Sequence, residues 1–211
     1  MRYCLEFLTK RPTYSGLSIR SSPQALDHPL GDFFPLDVDY NKTPIRKSHV
    51  ITKRIACDVV ILLVRNYKEL IARGTFWSKK GISFKEYCEV FFGKKFNYFS
   101  KLALFNELDK NKKLLVYYED LILKPKEILK RVLEFLGEDD VYLPEFLKNY
   151  DMHKQNCINR YNRPARSISK GEGVIFHSSL ITSQQRQYLE DYVKEHYPVL
   201  HKEYLTRYDE R

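Results

Sequence analysis

Two runs constrain this chain more than any other feature: DVVILLV at 58–64 and KLLVYYEDL at 113–121. The first is continuously apolar and rich in β-branched residues, which predicts a strand covered on both faces and hence a parallel sheet; the second repeats the pattern fifty residues later. Helical patterns fill the interval. Ser83 and Glu86 predict a capping box, after which Phe84, Tyr87, Cys88, Phe91 and Phe92 share one face, with Gly93 a break before Phe99, Leu102 and Leu108. Beyond the second run Pro125 suits the first helical position, Ile128, Leu129, Val132, Leu133 and Leu136 form a stripe, and Gly137 supplies the stop. A further helix is predicted from Thr182, with Gln185 as its capping partner and Tyr188, Leu189, Tyr192 and Val193 inward, ending before Pro198. Strand, helices, strand, helix is the order of an α/β fold with a parallel sheet, where ligands bind beyond the carboxyl ends of the strands.

The opening MRYCLEFLTKRP has helical spacing at Tyr3, Cys4, Phe7 and Leu8, yet no Ser, Thr, Asp or Asn cap precedes it and Pro12 ends it. So short a helix needs tertiary contacts to hold it. Residues 13–44 carry no lasting period and read as a long surface excursion with short turns. At 211 residues and 43% hydrophobic content, the expectation is one domain over 1–211, with its core at 45–137 and a helical region at 142–211. Four cysteines at 4, 57, 88 and 157 show neither CxxC pairs nor metal-ligand spacing, which fits free thiols and a cytoplasmic protein. No apolar run approaches the roughly 20 residues of a membrane span, and the start lacks the order of a signal peptide. A net charge of +9 calls for an anionic partner. The basic residues are scattered and no zinc-finger or RNP-type motif occurs, which fits a small polyanion such as a nucleotide and not nucleic acid.

Three constellations fall at the predicted strand ends. RKSHV places Lys47 and His49 on the same face of a short strand. They are either a surface lysine and a half-buried histidine, or a general base beside a cation that stabilises charge on a departing group. VVILLVRNYKE runs a buried strand into Arg65, which must lie at the sheet rim because burying it unpaired costs several kcal/mol. It pairs with a carboxylate of its own chain or receives an anion, for which a guanidinium is well shaped. VYYEDLILKP ends the second run with Tyr118, Glu119 and Asp120. The aromatic could flank a base, and the carboxylates could cap the following turn or position Arg65.

Taken together, a K-[ST]-H triplet, a strand ending in VRN, and YEDL followed by KP and a helix closing in FLG resemble the sulfotransferase family. YYEDLILKPKEILKRVLEFLG is the most specific stretch, and SISKGEG at 167–173 is similar to the family's basic C-terminal loop. The resemblance implies a P-loop-NTPase-like three-layer α/β fold, a parallel sheet flanked by helices. It implies transfer of a sulfuryl group from 3'-phosphoadenosine 5'-phosphosulfate (PAPS) to a hydroxyl or amine of a small-molecule or carbohydrate acceptor, leaving 3'-phosphoadenosine 5'-phosphate, with no metal. By the same resemblance His49 is the catalytic base and Lys47 assists the leaving phosphate. Arg65 holds the 3'-phosphate, Tyr118 lies in the strand bordering the adenine, and Lys170 and Gly171 belong to the loop that closes over that phosphate.

The chain also departs from the family pattern. Tyr67 replaces the usual proline of RNP, and Arg73 stands where a serine is usual, an arginine that could still meet a phosphate. The C-terminal loop reads SKGEGVIFHSS, leaving His177 without a family role. Above all, no glycine-rich loop of the PKSGTTW kind occurs, so the first strand and phosphate loop of the fold are expected to be missing. Charge-assisted hydrogen bonds are worth about 1.5–3 kcal/mol each, so the lack of three or four removes roughly 5–12 kcal/mol of donor binding. The expectation is a crippled enzyme whose Met1 is an internal methionine of a longer protein. The alternative is a non-catalytic protein that binds a nucleotide or an acidic partner on a degenerate fold. A phosphotransferase is disfavoured by the absence of GxxxxGK[ST].

Overall fold

The computed structural model describes residues 2–9, 13–15, 45–47, 58–73, 81–90, 92, 98–153 and 181–209. In chain order the elements are α1 (Arg2–Thr9), β1 (Thr13–Ser15), β2 (Ile45–Lys47), β3 (Val60–Val64), α2 (Tyr67–Arg73), α3 (Phe84–Val90), α4 (Tyr98–Asn106), β4 (Lys113–Tyr117), α5 (Tyr118–Leu123), α6 (Pro125–Leu136), α7 (Leu143–Lys148) and α8 (Ser183–His196). Short helical turns follow α8 as far as Tyr208. The architecture is α/β, mostly helical with parallel strand pairs. The chain divides into two compact units, Met1–Val50 with Lys124–Glu172, and Ile51–Leu123 with Gly173–Arg211.

In the first unit β1 runs parallel to β2, with Thr13 opposite Ile45 and Ser15 opposite Lys47. The reading of 13–44 as an excursion is therefore corrected at its start. Three residues, two of them small and polar, are too few to show a period of two, so only the pairing reveals the strand. Residues 16–44 lie outside the described residues. In α1 the buried side chains are Leu5 and Leu8, with Cys4 and Phe7 half-buried, so Leu5 joins the predicted stripe. Phe7 packs against Phe146 at 5.4 Å and against His153 at 4.4 Å between ring centroids, which gives this short helix its tertiary hold. In α6 Ile128, Leu129, Val132 and Leu133 are buried as the stripe predicts. Gly137 takes the left-handed conformation at φ 68°, which allows the Glu138 amide to reach back to the Leu133 carbonyl at 2.9 Å and close the helix.

In the second unit β3 and β4 are parallel, in register from Val60 opposite Lys113 to Val64 opposite Tyr117. Val64 and Val116 are buried, but Leu63 is 41% exposed. The expectation of cover on both faces is therefore corrected: an apolar run lowers the cost of burial without supplying the layer that covers it. The capping boxes form as read. Ser83 and Glu86 exchange hydrogen bonds of 2.8 and 3.2 Å, and so do Thr182 and Gln185. Tyr67, Ile71, Cys88, Phe92, Phe99 and Leu102 build the core with Leu189 and Val193 of α8, and burial pushes the Cys88 thiol up to about 12. Among the described residues no helix is long and apolar enough to cross a membrane.

An ionic link ties α2 to α8. Lys68 Nζ donates to Glu190 Oε2 at 2.8 Å, with both side chains nearly buried, and Lys194 donates to the other carboxylate oxygen. Burial opposes charge on Glu190, but the hydrogen bonds from Lys194 and Lys68 outweigh it and hold the carboxyl at about 2, down from 4.5. A carboxyl lowered in the fold contributes stability that is complete above its unfolded value and lost as pH falls toward its folded one. Glu190→Gln is therefore expected to cost about 2 kcal/mol at neutral pH, less than a fully buried pair because Lys194 is partly in solvent. Urea unfolding should show the wild-type advantage shrinking between pH 4.5 and about 2. A difference that stays constant through that window would refute the assignment.

Candidate functional site

The register of the second parallel pair creates the site. Because Val64 stands opposite Tyr117, the next residue of each chain segment, Arg65 and Tyr118, leaves the carboxyl edge side by side. The Arg65 guanidinium carbon lies over the Tyr118 ring, 4.3 Å from its centroid, a cation–π contact. Both side chains are half-buried. A guanidinium presents its donors in a planar fork, a geometry that matches a phosphate.

The backbone beneath Arg65 is clamped. The peptide unit joining Arg65 to Asn66 accepts a hydrogen bond at its carbonyl from the Tyr98 hydroxyl, 2.8 Å, and donates at its amide to Glu119 Oε1, 2.9 Å. Glu119 Oε2 in turn accepts from the Tyr208 hydroxyl at 2.8 Å. Burial and the adjacent Glu119 carboxylate push the Tyr208 hydroxyl far above the usual phenol range, so it stays a donor. Burial, with the same carboxylate, does likewise for Tyr98. Asn66 caps α2 by accepting the Lys68 amide at 2.9 Å. Tyr67 follows at the first helical position, where a proline's missing amide would cost nothing. Its ring is wholly buried against Phe92 and Tyr208, which gives the departure from proline a core-packing role.

One expectation about the second strand is corrected. Tyr118, Glu119 and Asp120 do not extend the strand, which ends at Tyr117; they form the first turn of α5. Apolar residues resume at Leu121 and Ile122 after the two carboxylates, and a helix of six residues is too short for its periodicity to mark the change. Glu119 acts on the backbone that follows Arg65, and Asp120 takes Arg207 in a bidentate pair at 2.7 and 2.8 Å.

The structure thus brings together Arg65 and Tyr118. Lys47 is the last residue of β2 and Arg73 the last of α2, and neither side chain belongs to the description. His49, Lys170, Gly171 and His177 lie outside the described residues. Among the described residues no group of three or more His, Cys, Asp or Glu is placed to hold a metal ion.

A strand-edge arginine on an aromatic ring, flanked by a helix-capping Asn, occurs within a stretch that matches a family model. The model is that of the sulfotransferase domain, and it matches residues 42–201, most of the chain. The chain belongs to the sulfotransferase family. No curated protein matches it. Membership makes sulfuryl transfer the general chemistry of the domain, and it places both Arg65 and Tyr118 inside the matched region.

Around the Arg65 edge of this sulfotransferase, Tyr98, Asn66 and Tyr208 are residues that the sequence did not mark. Asn66 could have been found as a cap ahead of Tyr67. The two tyrosines carry no local signal, because their partners lie 33 and 89 residues away. Glu119→Ala should leave the Asn66 amide and the Tyr208 hydroxyl buried without acceptors, at a cost of about 2–5 kcal/mol in urea unfolding. Glu119→Gln, which keeps an acceptor oxygen, should recover at least half of that. Equal losses would show that side-chain volume, not hydrogen bonding, is what Glu119 provides.

Proposed function

We propose that this chain is a PAPS-dependent sulfotransferase domain in which Arg65 holds the donor's 3'-phosphate and Tyr118 flanks its adenine. The carrying observation is the pairing of Arg65 with Tyr118 at the carboxyl edge of β3 and β4. A cation beside an aromatic side chain suits a phosphorylated nucleoside, the cation for its phosphate and the ring for flanking its base. Lys170, Gly171 and Arg73 are proposed as further phosphate ligands. His49 is proposed as the base that takes the acceptor's proton, and Lys47 as the cation that stabilises the departing phosphate. The transfer is in-line through a loose, anionic transition state, so placed cations and one base can do most of the work without a metal.

The fold proposed for this role is P-loop-NTPase-like, and the parallel pairing of β3 with β4 supports it. The 211 residues contain no PKSGTTW-type loop, so the chain by itself is expected to transfer sulfuryl slowly unless that loop is supplied in another way. The acceptor is proposed to be a hydroxyl or amine on a small molecule or carbohydrate. A cytoplasmic setting is proposed as well, consistent with the free thiols of Cys4 and Cys88.

Calorimetry with 3'-phosphoadenosine 5'-phosphate tests the reading. Arg65→Ala should weaken binding about 10- to 100-fold, the worth of a charge-assisted contact, while leaving adenosine 5'-monophosphate affinity unchanged. His49→Ala should leave nucleotide affinity nearly intact and lower turnover about 100-fold or more. Equal losses of binding in both variants would remove the assigned roles. No binding by the wild-type chain would leave the non-catalytic reading in place, with an acidic partner as ligand.

A further inference from the structure

Tyr208 lies beyond the residues matched by the sulfotransferase model, yet its hydroxyl is two hydrogen bonds away from the peptide that carries Arg65. The Glu119 carboxylate spans the gap, one oxygen on the Asn66 amide at 2.9 Å and the other on the Tyr208 hydroxyl at 2.8 Å. Both residues are buried, Glu119 at 5% and Tyr208 at 9% exposure, so water is a poor substitute for either partner. A carboxylate held at both oxygens cannot rotate about its last torsion. Released at one, it can turn and offer the amide a longer or bent bond.

The neighbouring residue reinforces the grip. Arg207 forms its bidentate pair with Asp120 and lays its guanidinium carbon 4.0 Å from the Tyr117 ring centroid. Consecutive residues of the C-terminal turn thus hold consecutive residues at the start of α5. Tyr208 is further seated by edge contacts with Tyr67 at 6.4 Å and Tyr117 at 6.1 Å, which a phenylalanine would keep. The hydroxyl can therefore be removed without removing the packing.

We propose that Tyr208 is a positioning residue for sulfuryl-donor binding: through Glu119 it fixes the Arg65–Asn66 peptide, and with it the site from which Arg65 stacks on Tyr118. The role in donor binding rests on the reading of Arg65 as the phosphate ligand. Misplacement of a binding group by about 1 Å can cost up to roughly 100-fold in a reaction that depends on orientation, so a device of this kind has something to protect.

The test uses the full chain labelled with nitrogen-15. Ring currents from Tyr118 should displace the Arg65 Nε–H resonance, and Tyr118→Leu identifies the undisplaced position. Tyr208→Phe should move that resonance toward the undisplaced position and speed exchange of the Asn66 amide about 10-fold, while the Leu189 and Val193 amides stay protected. In parallel, 3'-phosphoadenosine 5'-phosphate affinity should fall about 3- to 10-fold with adenosine 5'-monophosphate affinity unchanged. An unmoved Arg65 resonance and an unchanged Asn66 exchange rate overturn the proposal whatever the nucleotide data show. So does a moved resonance with full affinity retained in the variant. A moved resonance in a chain whose wild type binds neither nucleotide upholds the positioning contact and overturns the phosphate reading instead. If Tyr208→Phe also exposes the Leu189 and Val193 amides, Glu119→Asp, whose carboxylate is one methylene too short to span both donors, replaces it and must give a displacement of the same sign.

Discussion

The alignment of β3 with β4 is the constraint on which the rest of the second unit depends. In a parallel ladder, a slip of one residue would turn the side chains of one strand to the opposite face. With Val64 opposite Tyr117, the slip is closed off by the burial of Val64 and Val116, and Arg65 emerges next to Tyr118. Two residues 53 apart in the chain become one cation–π pair through the register of their strands. The crossover helices that make this pairing possible also supply Tyr98, whose hydroxyl reaches the Arg65 carbonyl.

Glu119 converts that alignment into rigidity. A carboxylate at 5% exposure is tolerable only when donors satisfy its oxygens, and here they come from the start of α2 and from the far C-terminal turn. Each partner is expensive to remove, so the segments that supply them are drawn into one cooperative structure. The ionic link of Lys68, Glu190 and Lys194 joins the same α2 to α8 from another side. The arginine edge is therefore supported through α2 on two independent sets of contacts. Such support suits a binding group whose value depends on where it stands.

Much of this was legible from local pattern. The helix at Pro125–Leu136 with its glycine stop, the capping boxes at Ser83 and Thr182, and the strand at Val60–Val64 all rest on signals contained within a few residues. Arg65 was legible for a similar reason: a charge directly after an apolar run has nowhere to go but the rim. Thr13–Ser15 was not legible, because three residues are strand only by virtue of their partner. Nor was the turn from strand to helix at Tyr118, since a helix of six residues is too short to show a period of its own.

The sequence by itself determined the α/β class, the helix limits set by caps and glycine, and the family to which the motifs belong. Each of these is a property of short windows, where propensity, capping and apolar spacing act over one or two turns. Tertiary structure alone decided that Arg65 rests on Tyr118, that Glu119 serves the Asn66 amide and not a helix cap, and that Tyr208 completes the carboxylate. These depend on strand register and on contacts between residues far apart in the chain. A single sequence carries no record of such distances, because any buried hydroxyl or carboxylate must find a partner and composition does not say which one.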